Sequence, residues 1–120
     1  MMSGIFRGDH PRVTLTLPGK NGDFDVEFIL DTGFARDLTL PGYLVDATEG
    51  LSAGLSARSL ASGQQLQFRV FEIALHWNGN PRQTEILVME GDPLLGTTLL
   101  KDTLLQIEML EGGEVSCEPL

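Results

Sequence analysis

The triad Asp31-Thr32-Gly33 follows directly on the apolar run that ends Phe28-Ile29-Leu30. A carboxylate at the end of a buried strand is costly to desolvate unless hydrogen-bond donors or a chemical task hold it there. Thr32 supplies a hydroxyl and a backbone N–H, and Gly33 lets the backbone come close to the carboxylate without a Cβ. A carboxylate held in this way can give or take a proton, although an ordinary turn uses the same residue types. Other candidates are weaker. Gly50-Leu51-Ser52-Ala53-Gly54 matches the pattern of a serine nucleophile, but that chemistry needs a strand-to-helix elbow, then an acid and then a His. The last histidine is His76, ahead of Asp92, and no long helical pattern follows Ser52. Asp23, Asp25 and Glu27 lack the glycine and the later Glu of a calcium loop and read as a solvated strand face. His10 and His76 stand alone, His76 packing or lying exposed beside Trp77. Asp37, Asp46, Asp92 and Asp102 sit in turns or beside basic neighbours and need no function. Cys117 is the single cysteine, so neither an internal disulfide nor a Cys-based zinc site can form.

The elements that must position Asp31 read as strands. Turn signals recur at short intervals: Pro18-Gly19, Asn21-Gly22, Pro41-Gly42, Ser62-Gly63, Asn78-Gly79-Asn80-Pro81, Gly91-Asp92-Pro93 and Gly112-Gly113. Val13 to Leu17 alternates at period two. Phe24, Val26, Phe28 and Leu30 share one face, opposite Asp23, Asp25 and Glu27. These two runs predict a hairpin that enters the core at Ile29-Leu30. Leu38-Thr39-Leu40 predicts a short strand stopped by Pro41, and Gln65 to Leu75 a longer one. Glu85 to Met89 suits a strand covered on both faces, and Leu104 to Leu110 alternates again. Thr48 to Gly63, rich in Ser, Ala and Gly, predicts an exposed mobile segment. Leu94 to Lys101 predicts one or two helical turns. The expectation is a single all-β domain spanning residues 1–120, a closed barrel with one short helix toward its C-terminal part.

The chain has 120 residues, 42% of them hydrophobic, enough for a core and too much for a disordered chain. Eight Lys and Arg against seventeen Asp and Glu leave a net charge of −9. Such a field repels phosphate backbones and anionic lipid, which argues against nucleic acid and membrane surfaces as partners. No apolar run approaches the ~18 residues of a membrane span. The first residues, MMSGIFRGDHPR, lack the apolar stretch of a secretory signal. A soluble, cytoplasmic protein is the expectation.

The stretch Phe28-Ile29-Leu30-Asp31-Thr32-Gly33-Phe34-Ala35 resembles the active-site segment of retropepsin-like aspartic proteases, in which two apolar residues precede Asp-Thr-Gly. Ile86-Leu87-Val88-Met89 and then Leu94-Leu95-Gly96-Thr97-Thr98-Leu99-Leu100 resemble that family's second signature. Leu104 to Glu108 with Gly112-Gly113-Glu114-Val115 resembles its last hairpin. The likeness runs from about Val13 to Val115 and is nearest to the small single-domain branch of bacteria and archaea. It implies a retropepsin-like acid protease barrel and an aspartic endopeptidase that acts on peptide or protein substrates. It further implies a homodimer in which each chain gives one Asp-Thr-Gly, here Asp31, Thr32 and Gly33. Two such carboxylates share a proton; one activates water and the other polarises the scissile carbonyl, with no metal, cofactor or covalent intermediate. The resemblance places substrate contacts at Phe34 and Ala35 and at Ala61-Ser62-Gly63, the tip of a flap that leads into the Gln65 strand.

The chain also departs from the family pattern. Retroviral members carry Ala-Asp after the triad where this chain has Phe34-Ala35, and Gly-Arg-Asp or Gly-Arg-Asn where it has Gly96-Thr97-Thr98. A contact to substrate backbone and an arginine supporting the dimer are therefore missing. The alternative to a protease is a retropepsin fold that binds peptides or proteins without cutting, for which a strict monomer would be the sign. For the protease, a shared proton makes activity bell-shaped in pH. Pairing two chains of charge −9 is eased by acid and by salt, so the expected optimum lies below neutrality. Pepstatin-sensitive cleavage measured from pH 4 to 8 at low and high salt checks this; activity rising steadily to pH 8 contradicts it.

Overall fold

In the computed structural model, which describes residues 2–59 and 61–120, strands dominate. They run β1 (Met2–Arg7), β2 (His10–Leu17), β3 (Phe24–Leu30), β4 (Leu38–Leu40), β5 (Leu51–Ser59), β6 (Gln65–Trp77), β7 (Asn80–Val88), β8 (Leu94–Leu95), β9 (Thr103–Ile107) and β10 (Glu114–Pro119). Two short helices interrupt them, α1 (Gly42–Ala47) and α2 (Thr97–Leu100). The strands join one sheet in the order β5-β6-β7-β4-β8-β3-β2-β1-β10-β9. That order has two ends, so the sheet is not closed, contrary to the barrel expected.

The alternating runs behave as their pattern dictates. β2 and β3 pair antiparallel from Arg12↔Ile29 to Leu17↔Phe24. Val13, Leu15 and Leu17 meet Val26, Phe28 and Leu30 in the main core, where Phe28 and Leu17 are fully buried. The opposite face is polar and paired. Thr16 Oγ1 donates to Asp25 Oδ1 at 2.6 Å, and Arg7 and Arg12 both reach Glu27. The hydrogen bond from Arg7 is the main reason the Glu27 carboxyl sits below its ordinary range. A depressed carboxylate stabilises the fold above the ordinary value of 4.5, and the benefit fades as pH falls through the lowered one.

Several elements differ from expectation. β1 was not anticipated, because its run carries Gly4 in mid-strand. The structure needs that glycine: a Cβ there would sit 1.8 Å from the Arg12 carbonyl oxygen. β6 runs on to Trp77 and β7 starts at Asn80, because Asn78 and Gly79 alone make the turn, with φ of 52° and 80°. Two consecutive left-handed residues match the twist of a two-residue hairpin. Leu94-Leu95 is strand, leaving α2 a single turn. The Thr48 to Gly63 segment holds strand β5, paired with β6 from Leu51↔Glu72 to Ser59↔Gln65 with a bulge between Ser52 and Gly54. Ser52 therefore lies within an edge strand, opposite Phe71, and on no elbow. β10 is an interior strand of the sheet. It pairs with β1 (Met2↔Cys117) and with β9 (Val115↔Ile107).

Among the described residues no helix is long and apolar enough to cross a membrane. The core makes a direct prediction. Phe28→Ala empties a fully buried ring position and should cost about 3–5 kcal/mol, read as a lowered urea midpoint with unchanged slope.

Candidate functional site around Asp31

β3 carries Asp31 to the site, and the short strand β8 fixes its height. The two strands run parallel, Ile29 opposite Leu94 and Leu30 opposite Leu95. The Asp31 N–H then donates to the Leu95 carbonyl at 2.9 Å. Beyond this point the chain turns: the Gly33 N–H donates to Asp31 Oδ1 at 2.9 Å, and the Phe34 N–H to the Asp31 carbonyl at 3.1 Å. The carboxylate is half-buried, with Thr32 and Gly33 exposed beside it. Oδ1 is thus oriented by the backbone, and Oδ2 has no protein donor among the described residues. A carboxylate held by one oxygen and open at the other can accept a proton, donate one, or hydrogen-bond to a second carboxyl group.

The loop from Asp31 to Asp37 is clasped by the segment after β8. The Gly96 N–H donates to the Asp37 carbonyl at 2.8 Å and the Thr97 N–H to the Phe34 carbonyl at 2.8 Å. The Thr97 and Thr98 hydroxyls donate to the carbonyls of Phe34 and Ala35. At Gly96 the two segments touch. A Cβ would lie 2.3 Å from the Arg36 carbonyl oxygen, 2.4 Å from that of Phe34 and 2.6 Å from the Phe34 ring. In this chain Gly96-Thr97-Thr98 fastens the Asp31 loop with hydroxyls, at the place where the resemblance would put an arginine.

Charges lock the far end of the loop. Asp37 is buried, 7% exposed. Its Oδ1 accepts from Arg82 Nη2 at 3.1 Å and its Oδ2 from the Glu85 N–H at 2.9 Å. Arg36 forms an ion pair with Glu85, Nη2 to Oε1 at 2.6 Å, and its Nη1 donates to Ser56 Oγ of β5 at 3.2 Å. The hydrogen bond to Glu85 is the main cause that raises the Arg36 guanidinium further above its ordinary value. One arginine thereby joins the Asp31 loop, β7 and the β5–β6 hairpin.

The expected site residues are distributed unevenly. Asp31 to Ala35 form one loop. Phe34, expected to fill the core or line a substrate pocket, is 2% exposed and packs with Val70 and Leu87 in a second apolar cluster. Ala35 is exposed. Ala61, Ser62 and Gly63 form the exposed turn between β5 and β6, Gly63 with φ of 86°. The hairpin's ties to the Asp31 loop come from Ser56, Phe68 and Val70, several residues back from that turn. Arg36, Arg82 and Glu85 carry no functional signal in the sequence, and Asp37, expected to be a turn aspartate without a function, is instead the buried anchor of the loop. The sequence reading also passed over Thr39, whose buried hydroxyl accepts from the Leu94 N–H at 2.9 Å. A polar residue inside the apolar triplet Leu38-Thr39-Leu40 was the available signal for the last.

Compared with protein-family models, curated proteins and solved structures, the chain has no match. The site therefore stands on its own geometry. That geometry predicts that Gly96→Ala, which drives a methyl group into two backbone oxygens, destabilises the fold by about 1–3 kcal/mol or more. Thr98→Ala, which removes one hydroxyl clasp at an exposed position, should cost about 1 kcal/mol. Thermal or urea unfolding of the two variants beside the parent checks the order.

Proposed function

We propose that this chain is an aspartic endopeptidase of retropepsin-like type that acts as a homodimer and hydrolyses peptide bonds with activated water. One observation carries the reading. The Asp31 carboxylate stands at the carboxyl end of a core strand with Oδ1 held by the Gly33 N–H and Oδ2 uncommitted. Each chain supplies one such group, so the dyad needs a second copy related by a two-fold axis. Two carboxylates brought this close share one proton. The ionised one takes a proton from a bound water while the protonated one polarises the scissile carbonyl. The supporting framework is the parallel β3–β8 pair, the clasp at Gly96 and the hairpin of β5 and β6 tied to the loop through Arg36. Phe68 and Val70 bring the hairpin's apolar face against Phe34. This leaves Ala35 and the hairpin turn Ala61-Ser62-Gly63 as the exposed positions that would border a substrate.

Asp31→Asn tests the reading, since the amide oxygen can still accept from Gly33 while the proton chemistry is gone. Cleavage of a mixed peptide library between pH 4 and 7 should fall ~10²–10⁴-fold, with unfolding unchanged. The wild-type chain should sediment as a dimer under conditions where it cuts. Undiminished cleavage by Asp31→Asn, or cleavage by a strict monomer, rejects the proposal.

A further inference from the structure

We propose a second site: the cleft between β2 and β6 receives an extended, basic peptide, which docks as an added strand. This goes beyond the aspartic reading and stands without it. The cleft arises where two ladders stop short. β1 pairs with β2 from Arg7↔His10 to Gly4↔Val13 and then runs on to Met2 against Cys117 of β10. Thr14 to Leu17 of β2 are consequently paired, among the described residues, on the β3 side alone. On the other bank β5 leaves β6 at Leu51↔Glu72, so Ile73 to Trp77 are paired with β7 alone. Residues 47–51 join the two banks at one end. There the Glu49 N–H donates to the Pro18 carbonyl at 3.0 Å, and Leu51 pairs with Glu72. Beyond that junction the two half-paired strands border a cavity of about 500 Å³ instead of bonding to each other.

The walls specify the occupant. Along the free side of a strand, alternate residues present N–H and C=O groups that an incoming strand satisfies in full. Adding a strand to such an edge is a general mode of peptide recognition, the backbone giving affinity and the lining side chains selectivity. Four residues of β2 offer ~13 Å of edge, room for an extended segment of about the same length. Leu15, Leu75, Met2 and Trp77 supply apolar lining. Asp23 supplies a carboxylate, no Lys or Arg among the described residues lines the cleft, and the chain as a whole carries −9. The matching peptide has apolar side chains toward Trp77 and a Lys or Arg toward Asp23. The cleft is distinct from the Asp31 site. Thr14 to Leu17 lie opposite Phe24 to Glu27 at the start of β3, and the four residue steps from Glu27 to Asp31 span ~13 Å of strand.

Trp77 is the only tryptophan, so the site carries its own reporter. The experiment titrates acetyl-Lys-Val-Leu-Val-Lys-amide into the Asp31→Asn protein, which separates docking from any cleavage, and follows indole emission and sedimentation. A saturable emission change is expected. It should weaken about 2–5-fold on Asp23→Lys, a substitution at an exposed turn residue, and as much when the peptide's lysines become glutamates. Methylating alternate peptide amides, which removes the strand hydrogen bonds and keeps the side chains, should abolish it. Equal binding of the methylated peptide, indifference to Asp23→Lys, or no saturation at millimolar peptide overturns the proposal. So does release of a second protein copy as the peptide binds, because the cleft would then be an interface between copies.

Discussion

At Gly96 two stretches of chain more than fifty residues apart in sequence meet with no space for a methyl group between them. A backbone that passes so close can do so only with its amides engaged, and here they are. Gly96 and Thr97 donate to the carbonyls of Asp37 and Phe34, and the Thr97 and Thr98 hydroxyls take up the remaining reach of the loop. From this crossing the rest of the site follows. It sets β8 parallel to β3, so that the Leu95 carbonyl meets the Asp31 N–H. It lodges the Phe34 ring against Val70 of the β5–β6 hairpin and leaves the Asp31 carboxylate held through Oδ1 alone among the described residues. Because the contacts are between main-chain atoms, side-chain repacking cannot relieve them, and the geometry at Asp31 is set by the backbone.

How much of this the sequence disclosed follows from what each segment buries. β2 and β3 alternate cleanly, because one face enters the core and the other bears Thr16, Asp25 and Glu27; their pattern is legible at period two. β5 shows no such pattern because it is exposed along most of its length, with Leu51 and Leu55 at 75% and 66% exposure. An edge strand with little to bury has no reason to alternate, and its Ser, Ala and Gly content looked like a loop. α1 is six residues long with one fully buried side chain, Val45, too little to establish a helical period. Asp31 was conspicuous because a carboxylate so rarely ends an apolar strand. Asp37 was not, because a turn beside Arg36 is ordinary company for an aspartate. What buries it is Arg82 and the Glu85 N–H, nearly fifty residues away.

The charges divide into those committed to the fold and those left to the solvent. Arg7, Arg12, Arg36 and Arg82 are all tied to carboxylates, and the ties of Arg7, Arg36 and Arg82 join strands or loops that the backbone ladders leave apart. Among the described residues, four of the chain's eight Lys and Arg are thereby used internally. Among the described residues most of the acidic groups form no ion pair, and the chain carries a net charge of −9. That charge favours basic over acidic molecules approaching the surface, by rate as well as by affinity.

The adjacency of β1 and β10 bears on how the chain folds. Met2 lies opposite Cys117, so the ladder between these strands closes a loop of more than a hundred residues. The hairpins β2–β3 and β5–β6–β7 can form from neighbouring segments within a short stretch of chain. The β1–β10 ladder must wait until β10 exists, and the entropy of closing so long a loop is met only late. Until then β1 exposes the backbone edge that β10 covers in the finished fold, which leaves the chain most vulnerable to pairing with another copy before this ladder forms.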